Sequence, residues 1–276
     1  MPSFDDLLPN ADQTTLESIL DSLKKVAIQC VESSYKEDFV VAYSSGIDSS
    51  ILAELVRQRN GNARLLTLGT AESSDVVAAA NDALASKNGF LLTSSRFTKK
   101  DIQQASHEVA KIVHVDNLSH FEDCVSFWLI ADFAAKNGEK GCIFSANGPD
   151  ELFCGYDRFR RILDQSGYDA VGREISKALL AAEKLGEQVQ RVVSDFGFEV
   201  REPFMHETFR KFALSIPPEY KILVGNDLLR KRIWRCFGRL LEIPEATVLR
   251  RKKAMQYGMG IHSIVLSMVK KGLIKV

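Results

Sequence analysis

The chain has 276 residues, enough for one large or two modest domains around a substantial core, and its 45% hydrophobic and 26% charged residues are ordinary globular composition. Basic and acidic residues number 36 each, so global charge argues for no polyanionic partner and disfavours nucleic acid. Five cysteines (Cys30, Cys124, Cys142, Cys154, Cys236) without a C-x-x-C suggest neither a disulfide framework nor a structural zinc site; no early apolar stretch resembles a signal peptide and none is long enough to span a bilayer, so a reducing cytoplasm is the expected setting.

Leu16, Ile19, Leu20, Leu23, Val26, Ala27 and Cys30 recur at helical spacing and predict one amphipathic helix over residues 14–33. Phe39-Val40-Val41-Ala42-Tyr43 reads as a buried strand, followed by the small-residue run Ser44-Ser45-Gly46-Ile47-Asp48-Ser49-Ser50 and a helix from Ser49 to Arg59. A turn at Gly61-Asn62 leads to a second strand, Arg64–Gly69, then to a helix capped around Ser73-Ser74-Asp75 and ended by Asn88-Gly89. A third strand is Phe90–Thr93, two helical stretches fill about 98–136, and Gly138 and Gly141 bracket the turn into a fourth strand, Cys142–Ser145. This alternation implies an α/β fold with a parallel, doubly wound sheet, helices on both faces and a ligand crevice at the C-terminal ends of the strands. After about residue 150 no strand is predicted; the rest reads as helices broken at Gly167, Gly186, Pro203, Pro217-Pro218 and Pro244. The expected division is an N-terminal helical segment (1–36), a nucleotide-binding α/β domain (37–165) and a helical C-terminal part (166–276) packed on the sheet.

The small side chains at 44–50 let backbone N–H groups converge on an anion, and the helix N-terminus and serine hydroxyls add to the field, so the expected guest is a phosphate or pyrophosphate. A Walker loop would end in Gly-Lys-[Ser/Thr], which is not present. Asp48 makes sense beside phosphates if it holds a Mg²⁺ that bridges to them; an Asp N-cap in an ordinary strand-to-helix turn is the alternative. The second constellation is Ser145-Ala146-Asn147-Gly148-Pro149-Asp150-Glu151-Leu152-Phe153-Cys154-Gly155-Tyr156. Helix-start chemistry alone would account for Pro149, Asp150 and Glu151. At a strand end beside the phosphate loop, however, Asp150 would complete a Mg²⁺–pyrophosphate site with Asp48. Ten Lys or Arg between Lys221 and Lys253 face only Asp227, Glu242 and Glu245, which reads as cations for a departing pyrophosphate or as a solvated helix face. The five histidines show no metal-ligand spacing on one helix. His114, Asp116, His120, Glu122 and Asp123 read as a polar loop and helix start, and Trp128 and Trp234 as core.

Residues 44–50 resemble the Ser-Gly-Gly-x-Asp-Ser loop of the PP-loop ATP pyrophosphatases, which grips the β- and γ-phosphates; Ser45 stands where that family has its first Gly. Residues 145–156 resemble the Ser-Gly-Glu-Gly-Ala-Asp-Glu-Leu-Phe-Gly-Gly-Tyr segment of the C-terminal synthetase domain of asparagine synthetases. Asp150, Glu151, Leu152, Phe153, Gly155 and Tyr156 agree, and Ala146, Asn147, Pro149 and Cys154 differ. Glu199-Val200-Arg201-Glu202-Pro203-Phe204 looks like the same family's Glu-x-Arg-x-Pro-Phe-Leu-Asp, with Met205-His206 replacing Leu-Asp. Leu229-Arg230 resembles its Leu-Arg helix, with Asp227 near where a Lys is often seen, and Arg250-Arg251-Lys252 fits its Arg-x-Lys, followed by Gly258 and Gly260. The five segments keep the family's order over about residues 38–265.

This resemblance implies an ATP-dependent, AMP- and pyrophosphate-forming amide ligase that adenylates a small carboxylate, aspartate by default, and transfers an amine to give asparagine. It implies catalytic roles for Lys252, Asp150 and Glu151, with Lys252 aimed at the phosphates and Lys253 as fallback. ATP contacts would come from Tyr43, Ser44, Ser45, Gly46, Asp48, Ser49, Ser50, Leu68, Ser145 and Ala146, and Mg²⁺ ligands from Asp48 and Asp150. Asp75 matches a family Asp, with N-capping as its simpler job. Asn147 occupies the position of a family Glu assigned to proton abstraction during amine attack; an amide is no general base, so that step or the substrate differs here. Full-length family members carry a glutaminase domain whose nucleophile is an N-terminal Cys. Here the first Cys is Cys30, inside a predicted helix. The chain is therefore expected to take free ammonia or another amine, or ammonia from a separate glutaminase or other ammonia-supplying chain. Small molecules are the expected partners, a homo-oligomer stays open, and no membrane is expected. The alternatives are another acceptor, as in β-lactam synthetases or tRNA-modifying PP-loop enzymes, and a nucleotide-binding module without turnover.

Overall fold

A computed structural model describes residues 4–275 except 72, 74, 75, 79–81, 83, 116, 226 and 252–254. Helix α1 (Gln13–Ser34) starts where the Asp12 carboxylate accepts the Thr15 N–H at 2.8 Å, and it buries the stripe Leu16, Leu20, Leu23, Ala27 and Cys30. Strand β1 (Phe39–Ala42) leads into helix α2 (Ile47–Asn60), which Gly61 ends in the left-handed region at φ 77°. Strands β2 (Ala63–Thr70) and β3 (Phe90–Phe97), helices α3 (Lys99–Ile112) and α4 (Leu118–Lys136), and strand β4 (Cys142–Phe144) follow.

All strand pairs are parallel, in the order β3-β2-β1-β4-β5, where β5 is Glu199–Arg201. This is the predicted doubly wound sheet. From β1 the chain winds outward to β3, then returns to lay β4 on the other side of β1. The loops after β1 and β4 thus flank a topological switch point. Both faces are covered, and the alternation along β1 shows how. Phe39 and Val41 join Leu65 and Phe144 in the core under α1 and α2, while Val40 joins Leu66, Leu68 and Ile143 in the core under α3 and α4.

The structure departs from the sequence reading at several places. Strand β5 lies beyond residue 150, where none was predicted. Its three residues, two of them charged, are too short for a periodic signal. It is held by pairing Phe144 with Arg201 and by Gln190, whose side-chain oxygen accepts the Val200 N–H at 2.8 Å. Strand β3 runs past Thr93 to Phe97 because an edge strand tolerates a polar Ser94-Ser95-Arg96 tail. Gly186 breaks nothing: helix α6 (Asp157–Ser194), which follows the short helix α5 (Pro149–Leu152), runs through it and kinks at Gly167 (φ 73°). The 165/166 boundary falls within α6. Leu229-Arg230 precede a helix rather than lie in one. Helix α7 spans Glu207–Ser215 and α8 starts only at Arg232, running to Leu240. Ser73 accepts the Val76 N–H at 3.3 Å, while Asp75 lies outside the described residues. Among the described residues no helix is long and apolar enough to cross a membrane.

Lys221 is buried, and its ammonium donates to the Ala213 carbonyl at 2.7 Å. Burial lowers its pKa from 10.5 to about 8. Between those values the unfolded chain binds a proton that the folded chain has released, so this group makes stability rise with pH across the window and weakens the fold below it. In urea unfolding at pH 8 and pH 10, the wild type should gain on the order of 2 kcal/mol relative to Lys221→Met. An unchanged difference between the two proteins would show that the ammonium is solvated.

Candidate functional site

Helix α2 opens at Gly46 with no side chain capping it, so the first-turn N–H groups face outward from the C-terminal end of β1. Asp48 lies inside that first turn, which removes the N-cap alternative for it. The Ser49 hydroxyl donates to the Gly46 carbonyl at 3.1 Å, accepts the Ser44 N–H at 3.2 Å and lies 3.2 Å from the Ser44 hydroxyl. Ser45 adopts φ 57°, a left-handed conformation that costs Ser more than Gly. The Arg250 guanidinium donates to its carbonyl at 3.2 Å and steadies it. Beneath the loop the Tyr43 hydroxyl donates to Asp82 at 2.5 Å, and burial pushes its pKa upward. The Ser50 hydroxyl turns to Tyr43, at 3.4 Å.

After β4, Gly148 caps α5 at φ 106°, where a Cβ would lie 2.9 Å from the Phe204 carbonyl oxygen. Pro149 takes the first helical position as predicted. Glu151 is buried and accepts the Tyr156 hydroxyl at 2.5 Å. Burial and the neighbouring Asp150 raise its pKa to about 7, and burial also raises that of Tyr156.

Asp48 and Asp150 meet on a residue that the sequence reading left among the mostly solvated basic ten. Lys231 is fully buried, with its ammonium 2.5 Å from Asp48 Oδ2 and 2.7 Å from Asp150 Oδ1. The Trp234 indole N–H donates to the other Asp48 oxygen at 2.9 Å. Trp234 is core, as expected, stacked on Phe153 at 4.9 Å and edge-on to Phe204 at 5.0 Å. Lys231 reaches this place through two consecutive left-handed residues, Arg230 (φ 54°) and Lys231 (φ 52°). Asp227 secures the turn by accepting the Leu229 and Arg230 N–H groups and pairing with Arg232 at 2.6 Å; burial alone would raise its pKa, but these donors hold it low. Buried Arg235 donates to the Leu229, Arg230, Val248 and Arg250 carbonyls, tying the Lys231 turn to the Arg250 segment; burial lowers its pKa to about 10. The sequence signal for Lys231 was Gly155: a Cβ there would overlap the Asp150 carboxylate and the Lys231 side chain.

One cavity is lined by Tyr43, Ser44, Asp48, Ser49, Leu68, Ser145, Ala146, Asp150 and Glu151. Ser45, Gly46 and Ser50 belong to the loop but not to its wall, and Lys252 lies outside the described residues. Asn147 also lines it, and its amide donates to Glu202 at 2.6 Å. Burial raises the Glu202 pKa and the Asn147 hydrogen bond opposes the rise. The sequence reading missed Glu202, which fills a variable position of the Glu-x-Arg-x-Pro-Phe pattern. Its signal was Gly186, where a Cβ would lie 3.0 Å from a Glu202 oxygen. Glu122, read with its neighbours as a polar loop and helix start, lies near the start of α4, where it is buried and 2.8 Å from His262 Nδ1; Asp116 lies outside the described residues.

Among the described residues no group of three His, Cys, Asp or Glu converges on a metal position. Two carboxylates already sharing a cation nevertheless fit Mg²⁺, which commonly takes one or two carboxylates and completes its shell with phosphates and water.

A family model for asparagine synthase matches residues 28–195 and 176–273. This chain belongs to the asparagine synthase family. It is 26% identical over 98% of its length to the putative glutamine-hydrolyzing asparagine synthetase 1 of Methanocaldococcus jannaschii, covering 52% of that protein. It is also 26% identical over 93% of its length to the glutamine-hydrolyzing asparagine synthetase of Mus musculus, covering 46% of it. The chain thus spans about half the length of these curated relatives. The NMN synthetase of Francisella tularensis aligns with 95% of this chain and 87% of its own at 12% identity and a TM-score of 0.43.

Gly155→Ala should force apart Asp150 and Lys231. The expected result is a lower Tm and at least about tenfold weaker binding of a fluorescent ATP analogue, the loss typical of a displaced charge-assisted contact. Gly172→Ala, in open space on α6, should leave binding unchanged and should not lower the Tm. Equal behaviour of the two variants would show that the approach of Asp150 to Lys231 is not tight.

Proposed function

We propose that this chain is an ATP-dependent, AMP- and pyrophosphate-forming carbon–nitrogen ligase that adenylates a small carboxylate, aspartate by default, and transfers an amine to it. One observation carries this reading: Asp48 and Asp150, from the first turns of the helices that follow adjacent strands β1 and β4, converge on one cation beside the uncapped N-terminus of α2. Asp48 and Asp150 would hold Mg²⁺, which offsets the charge that grows on a departing pyrophosphate. The α2 N–H groups with Ser44 and Ser49 would hold phosphate oxygens, and Leu68, Ser145 and Ala146 would line the nucleoside, largely through backbone atoms. Lys252, on the resemblance alone, is assigned to the leaving pyrophosphate.

Amine attack needs a proton acceptor. Asn147 cannot serve, but the Glu202 carboxylate beside it can, and the Asn147 amide orients it. Glu151, with a pKa near 7, is a second proton-handling group next to Asp150. All five cysteines are buried, and burial raises the Cys30 thiol pKa, whereas a glutaminase nucleophile is an accessible thiolate. None of these five cysteines is therefore proposed as a glutaminase nucleophile, and nitrogen is proposed to reach this site as a free amine or as ammonia released outside these residues.

Pyrophosphate exchange into ATP, measured with Mg²⁺ across a panel of small carboxylates, tests the first half. Asp48→Asn and Asp150→Asn should each lower exchange by about 10²–10³-fold with unchanged circular dichroism. Near-wild-type exchange in either variant would remove the shared metal site, and nucleotide binding without exchange on any carboxylate would favour a module without turnover. Product formation with ammonium and with amino-acid amines tests the second half. Glu202→Gln should leave exchange within a few-fold but slow amide formation by about 10²–10⁴-fold. Equal losses in both steps would reduce Glu202 to a structural role.

A further inference from the structure

We propose that Lys231 is a tethered counter-cation that keeps free divalent metal off Asp48 and Asp150 until a polyphosphate brings the metal in. The proposal deepens the reading of these two carboxylates as the metal and pyrophosphate site, and it concerns the order in which that site fills.

The ammonium sits where a metal bridging the two carboxylates would sit, 2.5 Å from one and 2.7 Å from the other, with no exposed surface. It is not a mobile surface lysine that happened to fold inward. Its backbone is fixed by two left-handed residues, by Asp227 in the turn before it and by Arg235 across the turn, and Gly155 leaves no slack beside its side chain. Trp234 holds Asp48 from the other oxygen, so the carboxylate cannot swing away to take a metal elsewhere without losing that donor.

Two opposing needs follow from the charge count. Two carboxylates and one ammonium leave one net negative charge, which attracts a dication. A dication arriving alone finds two acidic ligands, no third acidic group converging with them among the described residues, and a cation already between them. Mg²⁺ gives up its water reluctantly and rarely settles for such a site without phosphate. A metal–polyphosphate chelate changes both terms. Its phosphate oxygens complete the coordination shell, and they give the displaced ammonium a new anion to meet. Lys231 then remains at the site as a donor to phosphate, so the same group that excludes the bare metal welcomes the chelate.

Mn²⁺ alone is the probe, followed by electron paramagnetic resonance in titrations of the whole protein without nucleotide. The wild type should bind it only in the millimolar range. Lys231→Met should bind it about tenfold or more tightly, a shift within the ordinary range of coupling between two ligands of one site. With α,β-methylene-ATP present, the wild type should take up Mn²⁺ and nucleotide together, and the variant should bind the nucleotide more weakly. A merely structural role for Lys231 would loosen metal binding on mutation, not tighten it. Micromolar Mn²⁺ binding by the nucleotide-free wild type would overturn the proposal without any variant, and so would unchanged or weaker Mn²⁺ binding in Lys231→Met. Should that variant fail to fold, Lys231→Gln takes its place with the same expectation. No readout involves turnover: a protein without pyrophosphate exchange can pass these tests, and one with exchange can fail them.

Discussion

An ammonium taken out of water costs several kcal/mol unless anions and donors around it are well placed, and Lys231 is taken out of water completely. The two carboxylates that compensate it come from distant parts of the chain, Asp48 from the turn after β1 and Asp150 from the turn after β4. The ion triad therefore fixes the distance between those turns. It also draws in the segment before α8, so the crevice at the switch point is closed by charge on one side while the sheet sets the other. Removing Lys231 leaves two carboxylates facing each other, and removing either carboxylate leaves the buried ammonium with half of its compensation.

The aromatic cluster beneath the triad does the same with apolar contacts. Phe153 follows the acidic segment, Phe204 ends the Arg-Glu-Pro-Phe segment, and Trp234 opens α8 behind the basic turn. Trp234 stacks on the first, meets the second edge-on, and aims its N–H at Asp48. Three sequence segments that read as separate motifs are thus one packed unit. Strained backbone at Ser45, Arg230 and Lys231 persists because its surroundings over-determine it: Arg250 on the Ser45 carbonyl, Asp227 and Arg235 on the turn.

What the sequence made legible follows from range. The strands β1, β2 and β4 are apolar runs bounded by turns, and the helices α1 to α4 carry caps or periodicity, so local pattern was enough for the fold. The loop at 44–50 was legible because small residues between a strand and a helix have few other uses. Strand β5 was not, since Glu199-Val200-Arg201 has no strand pattern and becomes one only when β4 offers its edge. Lys231 was illegible for a related reason. Among ten basic residues nothing local separates the one that is buried from those that are solvated. Glu202 sat at a variable motif position, where pattern matching gives no weight to the residue that is there.

Both missed residues nevertheless left marks elsewhere in the chain, and the marks are glycines. Gly155 has no role in helix breaking: its bare Cα lets Asp150 and Lys231 touch. Gly186 lies in the middle of α6, where a helix loses stability relative to Ala, and its missing Cβ makes room for the Glu202 carboxylate near Asn147. At these two glycines, one in the turn between α5 and α6 and one inside a helix, a neighbour occupies the place of the missing Cβ, a carboxylate–ammonium pair in one case and a carboxylate in the other, whereas Gly172 on the same helix has open space beside it. The helix stability given up at Gly186 is a cost only if the close approach has no use. The use the structure shows is that the approach lets the Glu202 carboxylate accept the Asn147 amide at 2.6 Å.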